Sequence, residues 1–291
     1  MSDSFTEKLM SVTFTLGTGS FGTSGSNQNT VSNLRMSAAI VKAGGASMGT
    51  TQLRVYGMDL STMNQLSTLG KIPLTLRNNT VAISAGDTEA GLGLVFEGTI
   101  ADAWVDLQAA PEAKFHVTAM AGLIQAVKSV PPASYQGSAD AATVMSSLAA
   151  QMGLTFENNG VSVQLLNPYF PGSARDQAMA CARAGGFNWI IDNGKLAIWP
   201  RNGSRGGAVP LISAATGMIG YPQFTSTGVA LKTIYNSSIG YGASIQVQSQ
   251  IPNANGKWTV YKMAHDLECQ MPNGKWETSL EAAPVGYAPV K

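Results

Sequence analysis

Short runs in which apolar and polar residues alternate, each bounded by Gly, Asn or Pro, dominate this chain and restrict what it can fold into. Val12, Phe14 and Leu16 alternate with Thr13 and Thr15, and Phe115 and Val117 alternate with His116 and Thr118. A period of two sends one set of side chains to a core and the other to solvent, the pattern of a half-buried strand. Further strands are predicted at 34–41, 52–56, 81–84 and 94–106. One short helix interrupts them, capped by Asp59 and running to about Leu69, with Leu60, Met63 and Leu66 on its buried side. Strands joined by short polar turns predict a barrel or sandwich over residues 1–118.

The period changes in the middle. Met120, Leu123, Ile124 and Val127 fall at helical spacing, and Pro131 and Pro132 end that run. Ser138 is placed to cap a second helix, with Asp140 in its electropositive first turn, Val144, Met145, Leu148 and Met152 as its stripe, and Gly153 as its stop. Two short strands are predicted within 154–166 around Asn158-Asn159-Gly160. Ser173 and Asp176 have the spacing of a capping box for a helix that ends at Gly185 and Gly186. A hairpin follows, with Asn193-Gly194 supplying the positive φ of a tight turn. Residues 119–202 therefore read as a small α/β region, too short for a doubly wound sheet with a cofactor cleft. Beyond a linker at Gly203–Gly207 the strands return, near 218–219, 229–235, 244–250, 258–268 and 276–282, with a bulge near Met263. The expected fold class is mainly β (α+β): two β domains, 1–118 and 203–291, flanking the α/β region.

Charge narrows the function classes. Asp, Glu, Lys and Arg make up 12% of the 291 residues and the net charge is +1, against about 25% charged in an ordinary soluble protein. A surface kept wet by Ser, Thr, Asn, Gln and Gly is easily desolvated, because no ion has to be stripped of water. Much of it is therefore expected to be covered by neighbours in an assembly. A balanced charge also disfavours a nucleic-acid groove. No apolar run approaches the roughly 18 residues of a membrane span, and Asp3 and Glu7 in a start without an apolar core argue against a signal peptide. Cys181 and Cys269 stand alone, as small apolar residues of a reducing compartment.

Two motif matches lack their structural context. Gly17-Thr18-Gly19-Ser20-Phe21-Gly22 fits GxGxxG, but no helix can follow in Thr23–Asn27 to hold a pyrophosphate. The stretch from Gly17 to Thr30 reads as a flexible loop or long hairpin tip. Gly45-Ala46-Ser47-Met48-Gly49 fits GxSxG, but a strand follows where a nucleophile elbow needs a helix. His116 and His265 sit in strands without partners at ligand spacing. Glu97, Asp102 and Asp106 could serve glycoside hydrolysis, yet nothing marks one as buried acid and another as exposed nucleophile. Trp104, Phe187, Trp189, Trp199, Trp258 and Trp276 read as core or interface residues. No catalytic, cofactor-binding or metal-ligating residue is expected.

One set of residues carries a resemblance. Asn158-Asn159-Gly160-Val161, Leu166-Asn167-Pro168-Tyr169 and the run from Ile191 through Asp192-Asn193-Gly194-Lys195-Leu196-Ala197-Ile198-Trp199 to Pro200 lead into Gly203-Ser204-Arg205-Gly206-Gly207, Pro210-Leu211-Ile212-Ser213 and Thr216-Gly217-Met218-Ile219-Gly220-Tyr221-Pro222, ending at Gly286-Tyr287. Together these resemble the baseplate hub proteins of contractile-tailed bacteriophages, a family related in fold to the T4-type hub and to the N-terminal part of type VI secretion spike proteins. The resemblance covers residues 138–287. It implies two β-barrel tube domains, and three copies forming a ring that joins a sixfold tail tube to a threefold central spike. The implied partners are sister copies, tail tube or tube-adapter proteins, the spike as a separate chain, other baseplate proteins and the tape measure protein. DNA would pass through the ring without specific binding. The implied location is the virion baseplate, after synthesis in the host cytoplasm. A tail-associated cell-wall hydrolase and a host-surface glycan-binding module are the alternatives.

Overall fold

Period-two alternation becomes paired strands in a computed structural model that describes residues 6–22, 25–68, 78–108 and 112–286. The first region contains β1 (Lys8–Thr15), β2 (Gln28–Ser32), β3 (Met36–Lys42), β4 (Thr50–Tyr56), α1 (Leu60–Leu66), β5 (Thr80–Asp87), β6 (Gly91–Asp106) and β7 (Lys114–Met120). The middle contains α2 (Leu123–Val127), β8 (Ala133–Ser134), β9 (Ser138–Asp140), α3 (Ala141–Met152), β10 (Thr155–Asn158), β11 (Gln164–Leu166), β12 (Tyr169–Phe170), α4 (Ala174–Gly185), β13 (Phe187–Asp192) and β14 (Lys195–Pro200). The last region contains β15 (Leu211–Ile212), β16 (Met218–Phe224), β17 (Val229–Ile234), β18 (Ser244–Val247), β19 (Gly256–Cys269) and β20 (Trp276–Pro284).

The two outer regions share one sheet of 13 strands. Its main path runs β16-β17-β20-β19-β3-β4-β7-β6-β5-β1-β2, with β15 and β18 attached beside β19. The seam is the antiparallel pairing of β19 with β3, from Met263 opposite Lys42 to Cys269 opposite Met36. Among the described residues this path is open at both ends and does not return on itself. The fold is thus mainly β with large antiparallel pairing, and a small α/β unit is inserted between its halves.

Three apolar cores lie under these elements. Met10, Val12 and Phe14 of β1 face Phe115 and Val117 of β7 in the first, where the Phe14 and Phe115 rings meet edge to face at 6.1 Å, worth about 0.5–1.5 kcal/mol beyond their burial. The second joins α3 and α4 to Trp189, Leu196 and Ile198. The third joins Ile190, Ala197 and Trp199 to β17, β19 and β20. Hairpin β13–β14 therefore feeds two cores from opposite faces. A strand covered on both sides reads as a continuous apolar run, which is why Leu196-Ala197-Ile198-Trp199 shows no alternation.

Several expectations change. Helical spacing from Met120 yields only the five residues of α2, because Lys114–Met120 is claimed by pairing with β4 and β6. Asp140, not Ser138, caps α3, its carboxylate accepting from the Thr143 amide; Ser138 lies in β9, which pairs with β11. The strands flanking Asn158-Asn159-Gly160 do not pair with each other: β10 runs parallel to β14, and β11 takes β9. Residues 28–30 belong to β2, which folds back on β1, so the end of the 17–30 stretch is strand and not loop. The register shift in β19 falls between Val260 and Lys262, just before Met263. Leu69, the expected end of the first helix, lies outside the described residues, and α1 itself stops at Leu66.

Candidate functional site

The described structure concentrates its buried charge where the three regions meet. Lys42, at the end of β3, is 6% exposed. Its Nζ donates to Asp192 Oδ1 at 2.5 Å, to Asn193 Oδ1 at 3.0 Å and to the Val95 carbonyl oxygen. Asp192 Oδ2 in turn accepts from Arg205 Nη1 at 3.4 Å, and Arg205 grips both oxygens of Glu157 at 3.1 and 3.2 Å. Two cations and two carboxylates thus link the first β region, the α/β unit and the segment entering the last β region. Burial lowers the Lys42 ammonium below its ordinary value, with the Asp192 charge working against that shift. Burial would raise Glu157, but bonds from Arg205 and Asn159 outweigh it and leave the carboxyl below its usual range. A cavity of about 210 Å³ beside this junction also touches His265.

A second tie holds the α/β unit to the sheet. Arg175, in the first turn of α4, donates through Nη2 to the carbonyl oxygens of Gly45, Ala46 and Ser47 at 2.9–3.1 Å, and its guanidinium lies 5.3 Å from the Trp189 ring centroid. The Gly45 amide donates to the Trp189 carbonyl at 2.9 Å. The GxSxG match is therefore the clamped turn between β3 and β4, with strand on both sides. The GxGxxG match is the β1–β2 hairpin tip, where the Gly17 amide donates to Asn79 Oδ1 at 3.1 Å.

None of the residues weighed for chemistry converges on a reaction centre. Glu97, Asp102 and Asp106 share β6: Asp102 accepts from the Thr68 hydroxyl, and Asp106 lies 3.9 Å from His116 Nε2. His265 is buried and shares a 2.9 Å hydrogen bond with the Thr278 hydroxyl; burial pushes it down to about 3. Cys181 and Cys269 are free and buried, and burial pushes the Cys181 thiol up to about 12, far from the thiolate form that reacts. Among the described residues no cluster of His, Cys, Asp and Glu could hold a metal. Trp189, Trp199 and Phe187 are core residues, Trp258 and Trp276 are half-buried, and Trp104 is 44% exposed. Sequence reasoning missed Lys42, Arg175 and Arg205, whose partners lie up to 150 residues away.

The surface offers places for neighbours. Strand β2 ends the sheet path at one side and β16 at the other, and neither QNTVS nor MIGYPQF contains a charged residue. Natural proteins guard open edges with charge, proline or bulges; neither edge carries charge, and β16 is interrupted by Pro222 and a register shift between Ile219 and Gln223. On β16, Ile219, Tyr221 and Phe224 are exposed, Tyr221 to 62% and Phe224 to 58%, and Val209 and Leu211 earlier in the chain are exposed as well. In the α/β unit Leu166 and Tyr169 project from a turn fixed by Asn167, whose amide donates to the Gly137 carbonyl and whose side chain accepts from the Gly137 amide, both at 2.7 Å.

A family model described as baseplate hub gp41 matches residues 9–273. Among solved structures, the chain is similar to a tail protein from Neisseria meningitidis MC58, with TM-score 0.62, 8% identity and coverage of 94% of this chain and 96% of that one. It is similar to the 43 kDa tail protein of prophage MuSo2 from Shewanella oneidensis, with TM-score 0.60, 9% identity and 96% coverage of both chains. It also matches the Escherichia coli c3393 protein, a type VI secretion component with structural similarity to the T4 tail proteins gp27 and gp5, with TM-score 0.57, 12% identity and coverage of 88% and 76%. Among curated proteins, none matches the chain by sequence.

Proposed function

Because this chain belongs to the baseplate hub gp41 family, we propose that it is a hub subunit that closes, as three copies, into a ring joining a sixfold tail tube to a threefold central spike. The observation that supports this reading is the pair of uncharged edge strands, β2 and β16, at opposite ends of one sheet. An edge that meets a different edge on the next copy is a heterologous contact, and such contacts generate closed rings when the rotation allows. A low charge density lowers the cost of burying the interfaces, on the order of 1,000 Å² or more, that a stable ring requires.

In this reading residues 1–118 and 203–291 are two tube domains, 119–202 is the insertion, and each barrel wall is completed by sister copies. The 17–30 hairpin tip contacts a neighbouring protein. Tube, spike and tape measure proteins are separate chains, DNA passes without specific contacts, and the subunit is a scaffold in the virion baseplate and not an enzyme. The burial of His265, Cys181 and Cys269 supports the last point.

Light scattering on the purified protein is expected to give the mass of three copies. Replacing Tyr221 and Phe224 together by Lys is expected to reduce that to one copy while leaving the melting transition nearly unchanged, since both side chains are outside the cores. A wild-type chain that stays monomeric at micromolar concentration and is missing from imaged tail tips would refute the proposal.

A further inference from the structure

Lys42, Asp192 and Asn193 are arranged for a reaction as well as for a contact. The Lys42 amine, 6% exposed, is held by the Val95 carbonyl, by Asp192 Oδ1 at 2.5 Å and by Asn193 Oδ1 at 3.0 Å. The Asn193 carboxamide is fixed at its other end, where Nδ2 donates to the Leu94 carbonyl at 3.0 Å. Two successive carbonyls of β6 thus hold an amine and an amide side by side. The electrophilic Cγ lies one C=O bond, about 1.2 Å, beyond the oxygen that the amine touches. A small slide around that oxygen brings Nζ to the roughly 3–3.5 Å of a near-attack arrangement. A carboxylate that can accept and return protons touches the same amine, and the cavity of about 210 Å³ that these three residues line gives a small leaving group somewhere to go. We propose that Lys42 and Asn193 condense, with Asp192 relaying protons, into an isopeptide bond that ties β3 to the β13–β14 turn. The reaction lies within one chain and is independent of ring assembly.

Asp192 first takes one proton from the Lys42 ammonium. The Nζ lone pair then forms a bond to Asn193 Cγ, and the carbonyl π pair moves onto Oδ1. The Asp192 carboxyl hands its proton to Nδ2 and takes a second one from Nζ. The Oδ1 pair restores the carbonyl, the Cγ–Nδ2 bond breaks, and ammonia leaves with the proton that Asp192 holds. An ammonium and a carboxamide have become a secondary amide and an ammonium ion, with Asp192 regenerated and nothing oxidised or reduced. The resting pair is ionic, because Asp192 favours the ammonium and Arg205, 3.4 Å away, favours the Asp192 carboxylate. Only chains with a neutral amine react, and burial enlarges that fraction. Freshly folded protein is therefore mostly unlinked, and the bond accumulates with time. The other ionisable groups around the amine do not change state between neutral and mildly alkaline pH: Glu157 on β10 is held low, His265 on β19 is neutral, Tyr235 is pushed up to about 12, and Arg205 stays a cation. The amine alone then makes the reaction faster as pH rises.

Intact-mass spectrometry tests this on the full chain, denatured after increasing times at neutral and at alkaline pH. A species lighter than the unlinked sequence by one ammonia is expected to grow with time, several-fold faster in the alkaline sample. Trypsin is expected to release one branched peptide joining Met36–Arg54 to Ala184–Lys195, uncut after Lys42. Lys42→Arg and Asn193→Ala are each expected to abolish that species, and Asp192→Ala to slow its formation at least tenfold. A wild-type chain that keeps its full mass for as long as its circular dichroism persists at alkaline pH overturns the proposal. So does an ammonia loss that survives Lys42→Arg, which marks closure of a succinimide at an Asn-Gly pair such as Asn193-Gly194. Loss of water in place of ammonia overturns it as well, since Asp192 is then the acceptor.

Discussion

At the residue scale, Lys42 and His265 are two buried ionisable groups with opposite solutions. Lys42 keeps its charge and takes three acceptors. Removing it leaves Asp192 with only the 3.4 Å contact to Arg205, and breaking one partner from a buried pair costs about 3–5 kcal/mol. Lys42→Met is expected to lose that amount in urea unfolding, and Lys42→Met with Asp192→Asn to recover most of it. His265 instead gives up its charge. Its folded value of about 3 lies below the ordinary 6.5, so the unfolded chain binds the proton that the folded chain refuses. The stability is complete above pH 6.5 and falls as pH drops from 6.5 towards 3, by up to about 1.4 kcal/mol per pH unit. His265→Gln, which keeps a hydrogen-bonding group near Thr278, is expected to flatten the slope of melting temperature against pH in that window.

At the element scale, what could be read from sequence was local. The capping box at Ser173 and Asp176 forms as expected, with the Asp176 amide donating to Ser173 Oγ at 3.2 Å and the Ser173 amide donating to Asp176 Oδ2 at 3.1 Å. Ser173→Ala is expected to cost about 1 kcal/mol of stability by chemical denaturation, because α4 also carries the Arg175 tie. The β13–β14 turn likewise forms at Asn193 and Gly194, with φ of 50° and 71°. Both devices are decided by residues a few positions apart. Local spacing misplaced an element wherever a distant partner outbid it. Lys114–Met120 keeps strand geometry against the helical spacing that begins at Met120, because β4 and β6 flank it on both sides. Thr155–Asn158 leaves its neighbour for β14, some 40 residues later. Trp104, on a strand, reads as a core or interface aromatic, and its 44% exposure removes the core half of that reading.

At the scale of the whole molecule, the family resemblance was legible because its motif residues lie where constraint is greatest. The run from Ile191 to Pro200 turns tightly, presents Asp192 and Asn193 to Lys42, and serves two cores at once. The junction itself was invisible, since no periodicity ties position 42 to position 192 or 205. The same holds for the β3–β19 pairing, which joins strands of the two outer regions in one sheet. A chain ending at Asn255 lacks β19 and β20 and exposes the β3 edge together with the apolar surface that Leu267 and Cys269 cover in the first core. Such a truncation is expected to be insoluble, with no cooperative melt by circular dichroism in whatever fraction is recovered.

The β3–β19 seam also sets a schedule during translation. Lys42 has left the ribosome long before Gly256 is made, and at about 5–20 residues per second the 214 positions between them (256 − 42) take on the order of 10–40 s to synthesise. Through that interval β3 can pair with β4 on one side only. A nascent chain therefore cannot close the β3–β19 seam until β19 has emerged, so the two outer regions are joined only late in synthesis.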